Sequence, residues 1–388
     1  MLCDVVYALS IHADYRCRRS GVCCTSDWDV PVELSLYRTL HEALESGQLI
    51  PAAASADGDP VLAQGLDLPD EATAMVSRTS SGDCVFYHRR SGLCVVHRDL
   101  GEQHLPETCR HFPRLAVRDA RGTFISLSHY CPTAADMLFR DDVPIAIVEG
   151  PPAFPPADYQ GLEVAQDAWP PLLHPRMLMD DDAYSGWERH MVARCADAAL
   201  SPESVVATLE RDAQLLRTYR PGDRTLGAAI GELPAAAVDA APHATIAASL
   251  ALHAEALDAV PEEWKPDSDS AQLAEMFESR VAPVWPKWHW PLKRYLAAKA
   301  FASWTGYQGR GLLTIVRGLE TALALVRVEA ARQCRDARRA LDATLLREAI
   351  RQSDFLLNHL AVGEELAAIW SRVEKDVCYT LNTAITGP

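Results

Sequence analysis

Seven cysteines gathered in the first third of the chain constrain its fold more than any other feature. Cys17, Cys23 and Cys24 stand together in the run CRRSGVCC, and Cys84, Cys94, Cys109 and Cys131 form a second block. The opening stretch MLCDVVYALSIHADYRC carries an early Asp and no basic segment, so no signal peptide is expected. No window approaches the ~18 consecutive apolar residues of a membrane span, and a cytoplasmic location with no membrane partner is expected. In that reducing setting, clustered thiols are metal ligands or redox groups before they are disulfides. Cys195, Cys334 and Cys378 stand alone in helical patterns, where a lone Cys is a small apolar core residue. Cys3 lies near the cluster in sequence but outside both blocks, and its role stays open.

The second block reads as two hairpins. Cys84-Val85-Phe86-Tyr87 and Leu93-Cys94-Val95-Val96 flank a turn at Arg89-Arg90-Ser91-Gly92, which brings Cys84 and Cys94 together across two strands. Leu115–Val117 and Thr123–Leu127 flank Asp119-Ala120-Arg121-Gly122, with Cys109 before the hairpin and Cys131 after it, so antiparallel pairing returns the two thiols to one place. All four cysteines are thus expected on strands and turns. Pro132 suits the first helical position, which makes Cys131 an N-cap, where the positive helix end lowers a thiol pKa.

The rest of the chain supplies bulk. A helix is expected after Cys24, with Pro31 near its first turn, Leu36, Leu40 and Leu44 on one face and Gly47 at its end; residues 51–69 read as an irregular connection. Later, Ser201 and Pro202 open a helix, and Leu312, Ile315, Val316, Leu319, Leu323 and Val326 mark the most regular one. Trp285, Trp288 and Trp290 read as core anchors beside a helix start. The expected fold class is α+β. A small cysteine-rich metal-binding domain with short β-hairpins (1–142) is joined by a proline-rich linker (143–182) to a mainly α-helical C-terminal domain (183–388).

A net charge of −16 argues against sequence-independent nucleic-acid binding, which needs a basic face. Between Arg78 and Cys131, however, eight arginines face five acids, an excess that thiolates would offset. Four thiolates suit zinc and an iron–sulfur cluster equally well, and seven exceed one four-cysteine site. His88, His97, His104, His111 and His129 could complete a mixed site. Arg110 and Arg114, flanking His111-Phe112-Pro113, either clamp a carboxylate or phosphate of a bound cofactor or balance the thiolates. There is no dinucleotide-binding G-x-G-x-x-G after a strand, no P-loop, no H-E-x-x-H and no C-x3-C-x2-C, so common nucleotide-fold and radical enzymes are not expected.

The spacing Cys17-x5-Cys23-Cys24, Cys84-x9-Cys94, Cys109-Arg110-His111-Phe112-Pro113-Arg114 and Ser126-Leu127-Ser128-His129-Tyr130-Cys131-Pro132 resembles the zinc- or iron-chelating family named for its CxxCxxCC motif. Within it the chain is most similar to the flagellin lysine-N-methylase branch. PLKRYLAAKAF (Pro291 to Phe301) and LLREAIRQSDFLLNHL (Leu345 to Leu360) look like landmarks of that branch's helical half. The resemblance implies a 4Fe-4S iron–sulfur cluster held by Cys17, Cys23, Cys24, Cys84, Cys94, Cys109 and Cys131, with S-adenosylmethionine as methyl donor to lysine amines of a protein substrate. One family cysteine is Ser20 here, a poor soft-metal ligand.

Two functions follow. In the first, the chain is a metal-dependent protein lysine N-methyltransferase. Methylation requires a neutral amine, and Tyr130 and His129, beside a ligand cysteine, are the candidate bases. In the second, the chain is a non-catalytic interaction module whose metal stabilises the fold.

Overall fold

A computed structural model describes residues 5–26, 28–56, 58, 60, 72–156, 163–164, 170–222, 224–240, 246–266 and 269–374. Cys3, Cys378 and most of the irregular connection expected at 51–69 lie outside the described residues. Among the described residues, eleven strands lie in the first half of the chain: β1 (Val6–Leu9), β2 (Pro31–Glu33), β3 (Ala72–Met75), β4 (Tyr87–His88), β5 (Leu93–Cys94), β6 (Arg114–Asp119), β7 (Gly122–Leu127), β8 (Ile147–Glu149), β9 (Glu163–Val164), β10 (Leu172–His174) and β11 (Met177–Leu178).

The β6/β7 hairpin forms where the alternation and turn residues placed it, in register from Arg114↔Leu127 to Asp119↔Gly122. It is the centre of a five-stranded sheet in the order β8-β1-β7-β6-β9, in which β1 lies parallel to β7 and antiparallel to β8. Gly122 has φ 137°, and a Cβ there would stand 2.5 Å from the carbonyl oxygen of Val5, so the close approach of the β1 segment demands glycine. Strand β7 is buried along its whole length. Phe124 faces the large helical core, and Ile125 and Leu127 face a smaller one with Val6, Ala8, Tyr15, Cys131 and Phe154. Ser126 donates to the Ala298 carbonyl at 3.0 Å, fastening the sheet to the helix His289–Ala300.

The second half is helical, and the architecture is mixed α+β. Ser201 caps the helix Pro202–Leu216 by accepting from the Ser204 N–H, with Pro202 in its first turn. The 26-residue helix Leu312–Ala337 runs through the large core with Leu319, Leu323 and Val326 buried. Among the described residues, no helix is long and apolar enough to cross a membrane.

Several local expectations change. Pro31 belongs to strand β2, paired antiparallel with β3, and the helix starts only at Leu34. Strands β4 and β5 are two residues each, because Val95 and Val96 enter a short helix, Val95–Asp99, and are buried there. Cys109 lies in the helical turn Glu107–His111 rather than on a strand. The proline-rich stretch 143–182 supplies β8 and the buried side chains of Ile145, Phe154 and Leu173. A third core, with Val30, Val32, Leu40, Phe86, Val95 and Val96, has Cys84, Cys94 and Cys109 packed against it.

Candidate metal centre and an adjoining cavity

Five short segments deliver thiols to one place. Residues 16–20 form an exposed loop, and the chain then turns at Gly21, φ 76°, into a single helical turn carrying Cys23 and Cys24. A Cβ on Gly21 would fall 2.2 Å from the Tyr87 hydroxyl, so this crossing of two walls is open to glycine alone. Cys84 is joined to that turn by its N–H, which donates to the Cys24 carbonyl at 2.8 Å. Cys94 sits opposite Tyr87 in the β4/β5 pair. Cys109 arrives on its helical turn, and Cys131 occupies the N-cap of the helix Pro132–Met137, with Pro132 in the first turn as expected.

All seven cysteines line a single cavity of about 400 Å³. Its remaining wall is largely apolar, with Tyr15, Val30, Leu40, Val76, Phe86, Val96, Leu105 and Phe112, and the exposed Ser20 lies along it. The Cys23 and Cys24 sulfurs are 3.9 Å apart, and the Tyr15 hydroxyl is 3.7 Å from the Cys131 sulfur. Among the described residues no group of three or more His, Cys, Asp or Glu side chains is disposed to hold a metal ion. The sulfurs surround a space.

Burial favours the protonated thiol at Cys84, Cys94, Cys109 and Cys131. It pushes Cys84 up to about 11 and raises Cys94, and it carries Cys109 far higher, with Cys23, Cys84 and Cys94 adding to the effect. The hydrogen bond between Cys23 and Cys24 favours the thiolate at Cys23 and the thiol at Cys24. Cys131 departs from expectation, since its thiol is raised rather than lowered. Burial outweighs the N–H groups of Ala134 and Thr133, which pull in the direction a helix N-terminus should. Cys195 and Cys334 are fully buried, as lone core cysteines should be.

Of the five histidines, His97 lines this cavity; His88 bonds Ser91 at 2.7 Å and His104 bonds the Leu100 carbonyl at 2.7 Å. His129 turns into the interior, its ring 3.2 Å from His12 Nε2, with its backbone N–H donated to Asp354. Burial holds its imidazole down at about 4. Asp354 is fully buried and also receives the Tyr295 hydroxyl at 3.0 Å and the Lys299 ammonium. Burial opposes its ionisation, and the charges of Lys299 and His129 overcome that, leaving its pKa lowered. Tyr130 stacks on Phe355 at 4.3 Å and accepts from Ser26 at 3.0 Å. Neither Tyr130 nor His129 is among the residues lining the cysteine cavity.

A second, larger cavity of about 710 Å³ adjoins the first, with Phe112 in the walls of both. Trp28, Trp264, Phe355 and His359 line it, as do Asp29, Glu33, Glu107, His111, Arg114 and Asn358. The clamp arginines divide here. Arg110 pairs with Glu107 at 3.5 Å, while Arg114 donates to the Arg110 carbonyl at 3.3 Å and lies over the Tyr15 and Phe154 rings. They do not converge as one fork. Trp28, Asp354 and His359 escaped sequence reasoning because nothing local marks them, although Asp354 and His359 lie in the LLREAIRQSDFLLNHL segment. Comparison with family models, with curated proteins and with solved structures gives no match.

Proposed function

We propose that this chain holds an iron–sulfur cluster on thiolates drawn from Cys17, Cys23, Cys24, Cys84, Cys94, Cys109 and Cys131, and methylates lysine amines of a partner protein with S-adenosylmethionine. The observation that carries the metal half is the convergence of all seven sulfurs on one apolar-walled cavity of about 400 Å³. The donor set is soft, as iron–sulfur chemistry requires. Thiols spread around a space suit a polynuclear cluster better than a single zinc, whose four ligands would meet at a point. Bound there, such a cluster would supply a Lewis-acidic or redox-active iron.

The methyl-transfer half draws on the resemblance in the cysteine spacing and on the second cavity beside the first. The transfer moves a methyl group from a sulfonium sulfur to an amine nitrogen, and the amine must first lose a proton. Tyr130 and His129 are candidate bases in the sequence, yet neither lines either cavity. Their positions favour a supporting role, in which the Asp354 and Phe355 contacts fix the turn between β7 and the helix that Cys131 caps.

Anaerobic purification followed by a visible spectrum and iron and sulfide analysis tests the reading. A broad absorption band near ~400 nm with matching iron and sulfide is expected, followed by saturable S-adenosylmethionine binding. A colourless protein with stoichiometric zinc would overturn it and support the metal-stabilised interaction module instead.

A further inference from the structure

We propose that the mouth of the cysteine cavity is a basic rim that docks an acidic peptide segment of a partner protein. The pattern Arg-Arg-Ser-Gly-x-Cys occurs twice, at Arg18–Cys23 and at Arg89–Cys94. In both copies the glycine takes the left-handed conformation, φ 76° at Gly21 and 64° at Gly92, and turns the chain so that the cysteine two residues on reaches the cavity wall. The two turns touch, since a Cβ on Gly92 would stand 3.5 Å from the Arg19 carbonyl oxygen. Two arginine pairs are thereby set side by side at the edge of one cavity, which Arg19 and Arg98 also line. None of these arginines lines the second cavity, so the rim is a separate approach to the thiols.

Charge on this rim is one-sided. Residues 16–20 and 88–98 hold Arg16, Arg18, Arg19, Arg89, Arg90 and Arg98 and no carboxylate, in a chain of net charge −16. All six arginines are exposed. Arg18, Arg89 and Arg98 each meet one carboxylate, of Asp136, Asp83 and Asp99, yet the Arg18 and Arg89 side chains stay 69% and 68% exposed. Arg16, Arg19 and Arg90 have no ion-pair partner among the described residues. Balancing thiolate charge falls instead to Arg78, whose charge acts on Cys23, Cys84 and Cys109. Solvated guanidiniums carried on two turns and the Val95–Asp99 helix suit a run of carboxylates better than a single phosphate, which a convergent clamp holds. A nucleic acid longer than the rim would meet the acidic remainder of the chain. The docked segment would lie over Cys17 and Ser20, the exposed edge of the cavity. That it there faces a cluster rests on the reading above, whereas docking rests on the arginines alone.

The test titrates the anaerobically purified full chain into a fluorescein-labelled deca-glutamate peptide at low salt and reads anisotropy. Saturable binding is expected, weakened at least about tenfold in Arg19→Glu/Arg90→Glu and by an intermediate factor in Arg19→Gln/Arg90→Gln. Arg220→Glu/Arg338→Glu changes net charge equally at exposed sites in the helical half and should stay within about twofold of the unaltered chain. All four positions are exposed, so the variants should fold, and a thermal melt verifies this. No saturable binding, or equal losses in the two charge-reversed variants, overturns the proposal. So does tighter binding of an oligothymidylate of equal charge, which would mark a nucleic-acid surface, or displacement of the peptide by millimolar inorganic phosphate, which would mark a small-anion site. Colourless protein that binds the peptide sinks the cluster and keeps the rim; iron-loaded protein that fails to bind it does the reverse.

Discussion

The backbone N–H of Cys84 donates to the carbonyl of Cys24 at 2.8 Å, so a main-chain bond joins the two thiol blocks. Gly21, where a Cβ would fall 2.2 Å from the Tyr87 hydroxyl, adds a second close contact between the same two walls of the cavity.

Replacing single thiols separates cavity cysteines from core cysteines. Cys109→Ala and Cys84→Ala should lose most of the bound iron and the visible band, since each removes a sulfur from the cavity wall. Cys195→Ala should keep both and cost about 1 kcal/mol in unfolding free energy, as for a small cavity in a packed core. Iron analysis and urea unfolding on the same preparations decide the matter.

Alkali should weaken the metal-free protein. Cys84 has an ordinary thiol pKa of 9.0 when exposed and about 11 when folded, so the folded state binds more protons between those values. The stability this provides is complete below about pH 9 and is lost as pH rises through about 11. Urea midpoints of chelator-treated protein should fall across that window, and Cys84→Ala should flatten the fall. A midpoint that rises instead would contradict the burial of this thiol.

Local pattern carried part of this architecture. The β6/β7 hairpin was legible because alternation, turn residues and a needed glycine all agree over Arg114–Leu127. The seven cysteines of the two blocks line one cavity, and Cys131 caps its helix. Non-local pairing was not legible: β1 lies beside β7, and β2 pairs with β3 across a long connection, so Pro31 and the residues after it read equally well as a helix start. The interior position of His129 is set by Asp354, which lies 225 residues further along the chain. No local signal reports such a partner. The second cavity is likewise assembled from side chains spread between Ser26 and Leu360, of which only His111 and Arg114 carried a candidate chemical role in the sequence.

Asp354→Asn should be among the most damaging substitutions outside the thiols. The carboxylate is fully buried and serves Lys299, Tyr295 and the His129 N–H together. Its loss leaves the Lys299 ammonium, 13% exposed, without its counter-charge, at a cost of about 3 kcal/mol. Because His129 precedes Cys131 by two residues, iron content should fall as well. Lys299→Met in the same background should recover part of the stability, and additive losses in the pair would refute the coupling.

Ser20→Cys tests how the cavity is completed. Ser20 is exposed and lines the cavity beside Cys17 and Gly21. A hydroxyl is a harder donor than a thiolate and binds iron–sulfur units poorly, so this edge lacks one soft ligand. An added sulfur there should slow bleaching of the visible band by a chelator several-fold, because the exposed edge is where a competing ligand gains access. Ser20→Ala should leave the bleaching rate close to that of the unaltered chain. Equal rates for all three would place the metal away from residues 17–24 and assign ligation to the deeper group of Cys84, Cys94, Cys109 and Cys131.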